Sequence, residues 1–388
     1  MMTASGTRPP STAASAGEQP TEARPTTSAV AISQIAPQHA LQPRGAHRTT
    51  ETKAARFARW RQQLFQSLRW LGWAILIGAA AGSLLSFAGE SSWLLDLTSH
   101  FRLQYAGLMA IAFIALLWKR QANWATLALA LLVLNVTQLA PFYFEHPRQP
   151  LSTTAASVQK PLRVLQMNVF LLNHDHQAVL RYLQDTQPDV VGMEEFVTHW
   201  QSAFESSSIR KLYPYQVIVP GSRTALFSRL PISNYRVEQP PGSRYQVIQA
   251  TVLWNNQPVT LMVSHAAVPL LPHLYQEQRD HFRYLASRLR SLETPAVLLG
   301  DLNTTPWSAN YQLLVSESQL RDARYGFGLQ PSWPSIMPPA AIPIDHVLVS
   351  DEVKVLKRSL APFVGSDHRP VLVELALSSY KERILSRR

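Results

Sequence analysis

Between residues 68 and 144 the chain runs almost without charge, and this stretch constrains the fold more than any other feature. Residues 68–87 (LRWLGWAILIGAAAGSLLSF) carry one charge, Arg69, at the start, and about 20 apolar residues suffice to cross a bilayer core. Residues 103–118 are shorter and apolar after Gln104, and residues 124–144 are apolar apart from Asn135, Thr137 and Gln138. The spacing predicts a bundle of three transmembrane helices over 68–144. Core helices of a soluble protein are the competing reading, but three such runs joined by short charged turns fit lipid better.

The flanking charge gives an expected orientation. The net charge is +11, and residues 1–69 hold nine Lys/Arg against three Asp/Glu, so most of the excess precedes the first span. Arg44, Arg48, Lys53, Arg56, Arg59, Arg61 and Arg69 lie there, and Lys119 with Arg120 join the second span to the third. The loop between the first two spans carries Glu90 and Asp96, with only Arg102 near its end. The positive-inside rule then puts the N-terminus and the Lys119/Arg120 turn in the cytoplasm and everything after Phe144 on the far side. In a Gram-negative bacterium this is a multi-pass inner-membrane protein with a periplasmic C-terminal domain. Loss of the short middle span would reverse that topology. Trp70, Trp73, Trp93, Trp118, Trp124, Phe142 and Tyr143 gather near the span ends, as interfacial aromatics do.

The rest divides by composition. Residues 1–50, rich in Ala, Ser, Thr, Pro and Gln, lack the apolar surface to offset ordering entropy and are expected to be a disordered tail. Because the apolar run begins near residue 68, a cleaved signal peptide is a poor fit. A basic juxtamembrane segment (51–67) leads into the membrane part, a Pro/Ser/Thr-containing linker (145–160) leaves it, and a short basic tail (378–388) ends the chain. The absence of Cys excludes disulfide scaffolds, zinc ribbons and thiol nucleophiles.

Residues 161–377 alternate short apolar strands with fewer helices. Strands are expected at 162–168, 189–193, 215–219, 225–228, 247–254, 259–265, 296–299, 346–349 and 371–375, and helices at 177–185 and 274–292. The pattern predicts an α/β sandwich, helices outside two packed sheets. Its strands repeatedly end in side chains able to bind metal or phosphate: Asn168, Glu195, His265, Asp301 with Asn303, Asp345 with His346, and Asp367 with His368. Any one carboxylate at a strand end reads first as a turn or cap residue. The series is harder to explain that way, because several such ends would converge at one sheet edge.

The ordered set Met167-Asn168, Asp189-Val190-Val191-Gly192-Met193-Glu194-Glu195, Ser264-His265, Gly300-Asp301-Leu302-Asn303, Ile344-Asp345-His346 and Ser366-Asp367-His368-Arg369-Pro370-Val371 resembles the endonuclease/exonuclease/phosphatase superfamily. The resemblance covers about residues 161–377 and implies the deoxyribonuclease-I-like fold, a four-layer α/β sandwich. It implies Mg²⁺- or Mn²⁺-assisted hydrolysis of a phosphodiester or phosphomonoester by water. On that pattern Glu195 is similar to the metal ligand, Asn168 supports the same site, and Asp367 is a metal-linked or outer carboxylate. His368 resembles the catalytic histidine, oriented by Asp345, since a carboxylate on one ring nitrogen fixes the tautomer. Asp301 would orient or deprotonate water, Asn303 would donate to a phosphoryl oxygen, and His265 would stabilise developing charge.

Glu194 departs from the pattern, where many members have Gln; a second carboxylate there would alter the charge balance at the metal, and a solvated side chain is an equal reading of it. His346 is expected on the opposite strand face, and His273 and His281 as solvated helix residues. Arg223 and Arg229 flank a strand and read first as surface charge, while Arg369 and Pro370 shape a turn. Residues 325–343, with Phe327, Trp333 and Ile336, form a Pro-rich loop fit to grip substrate, lie on a bilayer or simply pack. The expected partners are a phosphoester substrate, nucleic acid or lipid/small molecule, and the bilayer itself. No Lys/Arg cluster marks a nucleic-acid face, and nothing points to a protein partner. The alternative from another class is a non-catalytic scaffold that keeps the fold.

Overall fold

A computed structural model describes residues 52–144 and 160–377; the expected tail, linker and basic C-terminus lie outside the described residues. The chain divides into two compact units, Met1–Trp60 and Arg61–Arg388. Helix α1 is Lys53–Leu85, so most of the basic segment expected to precede the first span is itself helical. Then follow α2 (Trp93–Thr98), α3 (Arg102–Trp118), α4 (Ala122–Leu139) and α5 (Pro141–Phe144). Three stretches, Arg56–Ser91, Trp93–Trp118 and Ala122–Leu139, are long and apolar enough to cross a membrane. The middle one gains length because the turn ahead of α3 is itself helical. Asn135 donates to the Ser83 hydroxyl at 2.8 Å, joining α4 to α1.

The C-terminal part is a four-layer sandwich. One sheet has the order β11-β12-β1-β2-β4-β3 and the other β5-β6-β7-β8-β10-β9. Their strands are β1 (Leu162–Asn168), β2 (Val190–Glu194), β3 (Tyr215–Val219), β4 (Thr224–Ser228), β5 (Ile232–Glu238), β6 (Val247–Trp254), β7 (Gln257–Ser264), β8 (Ala296–Asp301), β9 (Arg321–Asp322), β10 (Asp345–Val349), β11 (Val353–Leu360) and β12 (Val371–Leu377). Val164, Val190, Leu226, Leu261, Val263, Leu299 and Val347 fill the space between the sheets. Helices α6 (His176–Thr186), α7 (Thr198–Glu205) and α8 (Ile209–Leu212) cover the first sheet. Helices α9 (Pro272–Arg290) and α10 (Ala309–Ser318) cover the second.

The period of two along each strand sorts the site. In β1, Leu162 and Val164 face the other sheet while Leu165 and Met167 face helices, so Gln166 and Asn168 continue the inner row. The same alternation carries Glu194 beyond Val190, Asp301 beyond Val297 and Leu299, and Asp345 ahead of Val347. Polar groups therefore emerge together at one end of the sandwich. Gly300 makes room there: a Cβ at that position would lie 2.0 Å from the Ser264 carbonyl oxygen.

That same end is fastened to the apolar helices. Asp96 accepts from the Ser308 hydroxyl and the Ala309 amide, both at 2.7 Å, capping α10. His100 Nδ1 lies 2.9 Å from the Thr305 hydroxyl, and Trp307 donates to the Gln138 carbonyl at 3.1 Å. Phe142 stacks on Tyr325 with centroids 5.1 Å apart and meets Trp307 edge-on. These contacts grip the residues that directly follow Asp301 and Asn303.

Candidate active site

Strand pairing assembles the polar groups before any side chain moves. β1 and β2 run parallel with Asn168 beside Glu194, and β8 and β10 run antiparallel with Asp301 opposite Asp345. Glu195 follows β2 at φ 57° and Asn303 follows β8 at φ 50°. Such left-handed backbone is uncommon outside glycine, and at Glu195 it breaks the alternation, so that consecutive glutamates both serve one site.

Asp301 lies at the centre. Its Oδ2 accepts from Asn168 Nδ2 at 2.9 Å and lies 3.6 Å from His265 Nε2 and 3.7 Å from His368 Nε2. The Asn303 amide donates to Asp301 Oδ1 at 3.0 Å. Asp345 Oδ2 lies 2.9 Å from His368 Nδ1, orienting that imidazole toward Asp301. Asn303 Nδ2 donates to the Ala266 carbonyl and lies 3.1 Å from His265 Nε2. Glu195 accepts from Asn168 Nδ2 at 3.2 Å and from the Leu171 amide at 2.8 Å. Seven of the eight expected site residues thus join one hydrogen-bonded group. Asp367 stands beside it: its Oδ2 accepts from the Trp333 indole at 3.0 Å, holding that ring near His368.

The electrostatics differ from residue to residue. Burial alone would strip the charge from His368, but the Asp345 and Asp301 carboxylates outweigh it and raise its pKa to about 10, so it is a cation. Burial likewise opposes the charge of Asp345, yet His368 holds its carboxyl below the usual value. Asp301 is pushed up to about 7, chiefly by burial, with His368 pulling the other way. Burial pushes His265 down to about 4, which makes it a neutral imidazole whose role is donation rather than charge.

Two members were not legible as site residues. Glu194 is fully buried, not solvated, and its carboxyl is held well above the ordinary value by burial and by Asp301 and Asp345. Gln166 donates both to Glu194 at 2.9 Å and to Asp345 at 2.8 Å, bridging them. The alternation along β1 and β2 carried the signal for both. Tyr245, whose ring lies 4.7 Å from His265, had no sequence signal.

The residues set aside as structural also have places. His346 bonds the Thr304 carbonyl on the far face of β10, as its parity predicts. His273 is exposed, but His281 is buried between the hydroxyls of Ser264 and Ser243, correcting the expectation of a solvated side chain. Arg229 pairs with Asp189 away from the site, Arg369 donates to the Ala361 carbonyl, and Arg223 remains exposed beside Glu195's strand end. Trp333 and Phe327 are half-buried and Ile336 is exposed.

The donor set suits a hard divalent cation. Three buried carboxyls, Glu194, Asp301 and Asp345, face one cationic side chain, His368, and Glu194 Oε1 is buried without a partner among the described residues. The carboxyl oxygens of Asp301, Asp345 and Glu195, with the unpartnered Glu194 Oε1, are hard donors of the kind Mg²⁺ or Mn²⁺ prefers.

Comparison with curated proteins found no match. Among solved structures, D. rerio TDP2 complexed with single strand DNA product is 17% identical, with a TM-score of 0.49 over 56% of this chain and 99% of that one. The human Nocturnin catalytic domain with bound sulfate is 17% identical, TM-score 0.48, over 57% and 96%. An endonuclease/exonuclease/phosphatase from Bacteroides vulgatus is 18% identical, TM-score 0.48, over 57% and 100%. The sequence profile of the Endonuclease/Exonuclease/phosphatase family matches residues 165–368, more than half of the chain and every site residue described above. With its two sheets, its strand-end carboxylates and that match, the chain belongs to the Endonuclease/Exonuclease/phosphatase family.

Proposed function

We propose that this chain is a membrane-anchored, divalent-metal-dependent phosphoesterase whose substrate is a phosphoester carried by a membrane lipid. Glu195 and Asn168 would hold the ion, which when bound supplies Lewis-acid stabilisation of phosphoryl oxygen. Asp301, poised near neutrality by burial, orients and accepts the proton of the attacking water. His368, kept cationic by Asp345, stabilises charge on the phosphoryl group, and Asn303 with neutral His265 donates to its oxygens.

The observation that carries the lipid reading is an apolar rim. Leu172, Val268, Leu270, Ile336, Met337 and Phe363 are exposed, and each lies in a loop adjoining a site residue. Exposed apolar side chains gathered in one place mark a contact surface. Ile336 and Met337 adjoin Pro339 and Ala341, whose carbonyls accept from Gln104 of α3, so this loop lies beside the apolar helices, where a bilayer surface would be. The positive-inside orientation adds that the domain lies on the side of the membrane away from the cytoplasm.

The test is hydrolysis by the full-length protein in liposomes, on bilayer phospholipid and on a short-chain soluble analogue. The combined Ile336→Asp and Met337→Asp variant should lose at least tenfold on the bilayer substrate and little on the soluble one. Equal loss on both, or a preference for DNA over every lipid, would overturn the lipid assignment.

A further inference from the structure

A second group of metal-binding side chains sits outside the site just described. His174, His176 and His199 each offer a ring nitrogen, and these atoms all lie within 4.8 Å of one another. His176 Nε2 is 2.7 Å from His199 Nδ1, and the His174 and His199 rings are 4.8 Å apart. We propose that these three histidines form a transition-metal site of the zinc class, separate from the catalytic centre.

The ring orientations support it. His199 Nε2 lies 2.9 Å from the Leu171 carbonyl, so that nitrogen carries the proton and Nδ1 presents its lone pair to the other two rings. Anchoring a ligand imidazole through its second nitrogen to a backbone carbonyl is how metal-binding histidines are held. The His176 ring is fixed edge-on against buried Trp200, with centroids 4.6 Å apart. His174 is exposed and free to swing inward, leaving a fourth position open to solvent. A tetrahedron on ~2.05 Å zinc–nitrogen bonds needs nitrogens about 3.4 Å apart, which small rotations of these rings supply.

The donors are all imidazole nitrogen, unlike the oxygen set around Asp301, so the two sites select different ions. They are mechanically joined by one residue. The Leu171 carbonyl faces His199 while the Leu171 amide donates to Glu195 Oε2 at 2.8 Å. An ion held by the histidines therefore steadies the loop that positions the catalytic glutamate.

The experiment is titration of metal-stripped, full-length protein in detergent with Zn²⁺ and with Co²⁺, in excess Mg²⁺ to occupy the oxygen site. The expected result is one tightly bound equivalent, with the visible absorption of nitrogen-ligated Co²⁺, that persists in Glu195→Gln. His174→Ala and His199→Ala should each weaken it at least tenfold. Exposed His174 is dispensable for folding, and circular dichroism checks that both variants fold. Unchanged Zn²⁺ affinity in both histidine variants, or loss of the equivalent in Glu195→Gln alone, would overturn the proposal.

Discussion

Replacing Asp345 by Asn tests how the site keeps His368 charged. The imidazole titrates near 10 instead of its ordinary 6.5, a difference worth about 5 kcal/mol. Two carboxylates share it, Asp345 at 2.9 Å from Nδ1 and Asp301 at 3.7 Å from Nε2. Losing the closer, hydrogen-bonded charge removes the larger of the two raising effects, and the imidazolium then titrates well below its wild-type value. The substitution is nearly isosteric, but its one amide oxygen can accept from Gln166 or from His368 and not from both. The sign follows from which form works: the cation is lost as pH rises through its folded pKa. Wild type should hold its rate from pH 7.5 to 9.5, whereas Asp345→Asn should fall across that range. The assay is the kcat profile on a chromogenic phosphodiester with saturating Mg²⁺. A variant whose loss is the same at every pH would refute this reasoning and leave Asp345 only a geometric role.

Gly300→Ala should place a methyl 2.0 Å from the Ser264 carbonyl and force β8 from β7; overpacking of this kind costs about 1–3 kcal/mol, read as a lowered Tm together with a lowered kcat as Asp301 shifts. Asp96→Ala removes two 2.7 Å hydrogen bonds and the cap of α10. It costs about 1–3 kcal/mol and should speed hydrogen exchange across residues 304–310 relative to wild type. Because the chain has no Cys, single cysteines report topology cleanly. In intact cells an impermeant maleimide should label Ser233→Cys and leave Lys119→Cys unlabelled, and the reverse pattern would invert the proposed orientation.

The sandwich was legible where strands are buried and helices amphipathic. Apolar runs such as β1, β7 and β8 announce themselves, and α9 does so through its inward Phe282, Leu285 and Leu289. What escaped lies at the edges. β5 (ISNYRVE) is exposed along most of its length, and β11 (VKVLKRSL) is largely half-buried with a bulge between Val355 and Lys357, so neither shows a clean alternation. Helix α10 buries little more than Tyr311 and Leu314, and its N-terminal Ser308 cap is itself held by Asp96, a partner more than 200 residues away.

The site was legible in part for the same reason. Asn168, Asp301 and Asp345 end runs that must be buried, so their convergence follows from strand parity alone. Glu195 and Asn303 reach the site through left-handed backbone, which residue type alone does not disclose. Tyr245 arrives from an irregular segment through tertiary packing. His281 reads as a solvated helix residue until Ser264 and Ser243 close around it.

The measurement closest to the central claim is turnover by the full-length protein in liposomes, on phospholipid, phosphomonoester and nucleic-acid substrates, with Mg²⁺, with Mn²⁺ and with chelator. The account predicts metal-dependent release of a phosphorylated product from lipid, abolished by chelator and reduced at least a hundredfold in His368→Ala and in Asp301→Asn. Turnover that survives the chelator, or survives both substitutions, would contradict it.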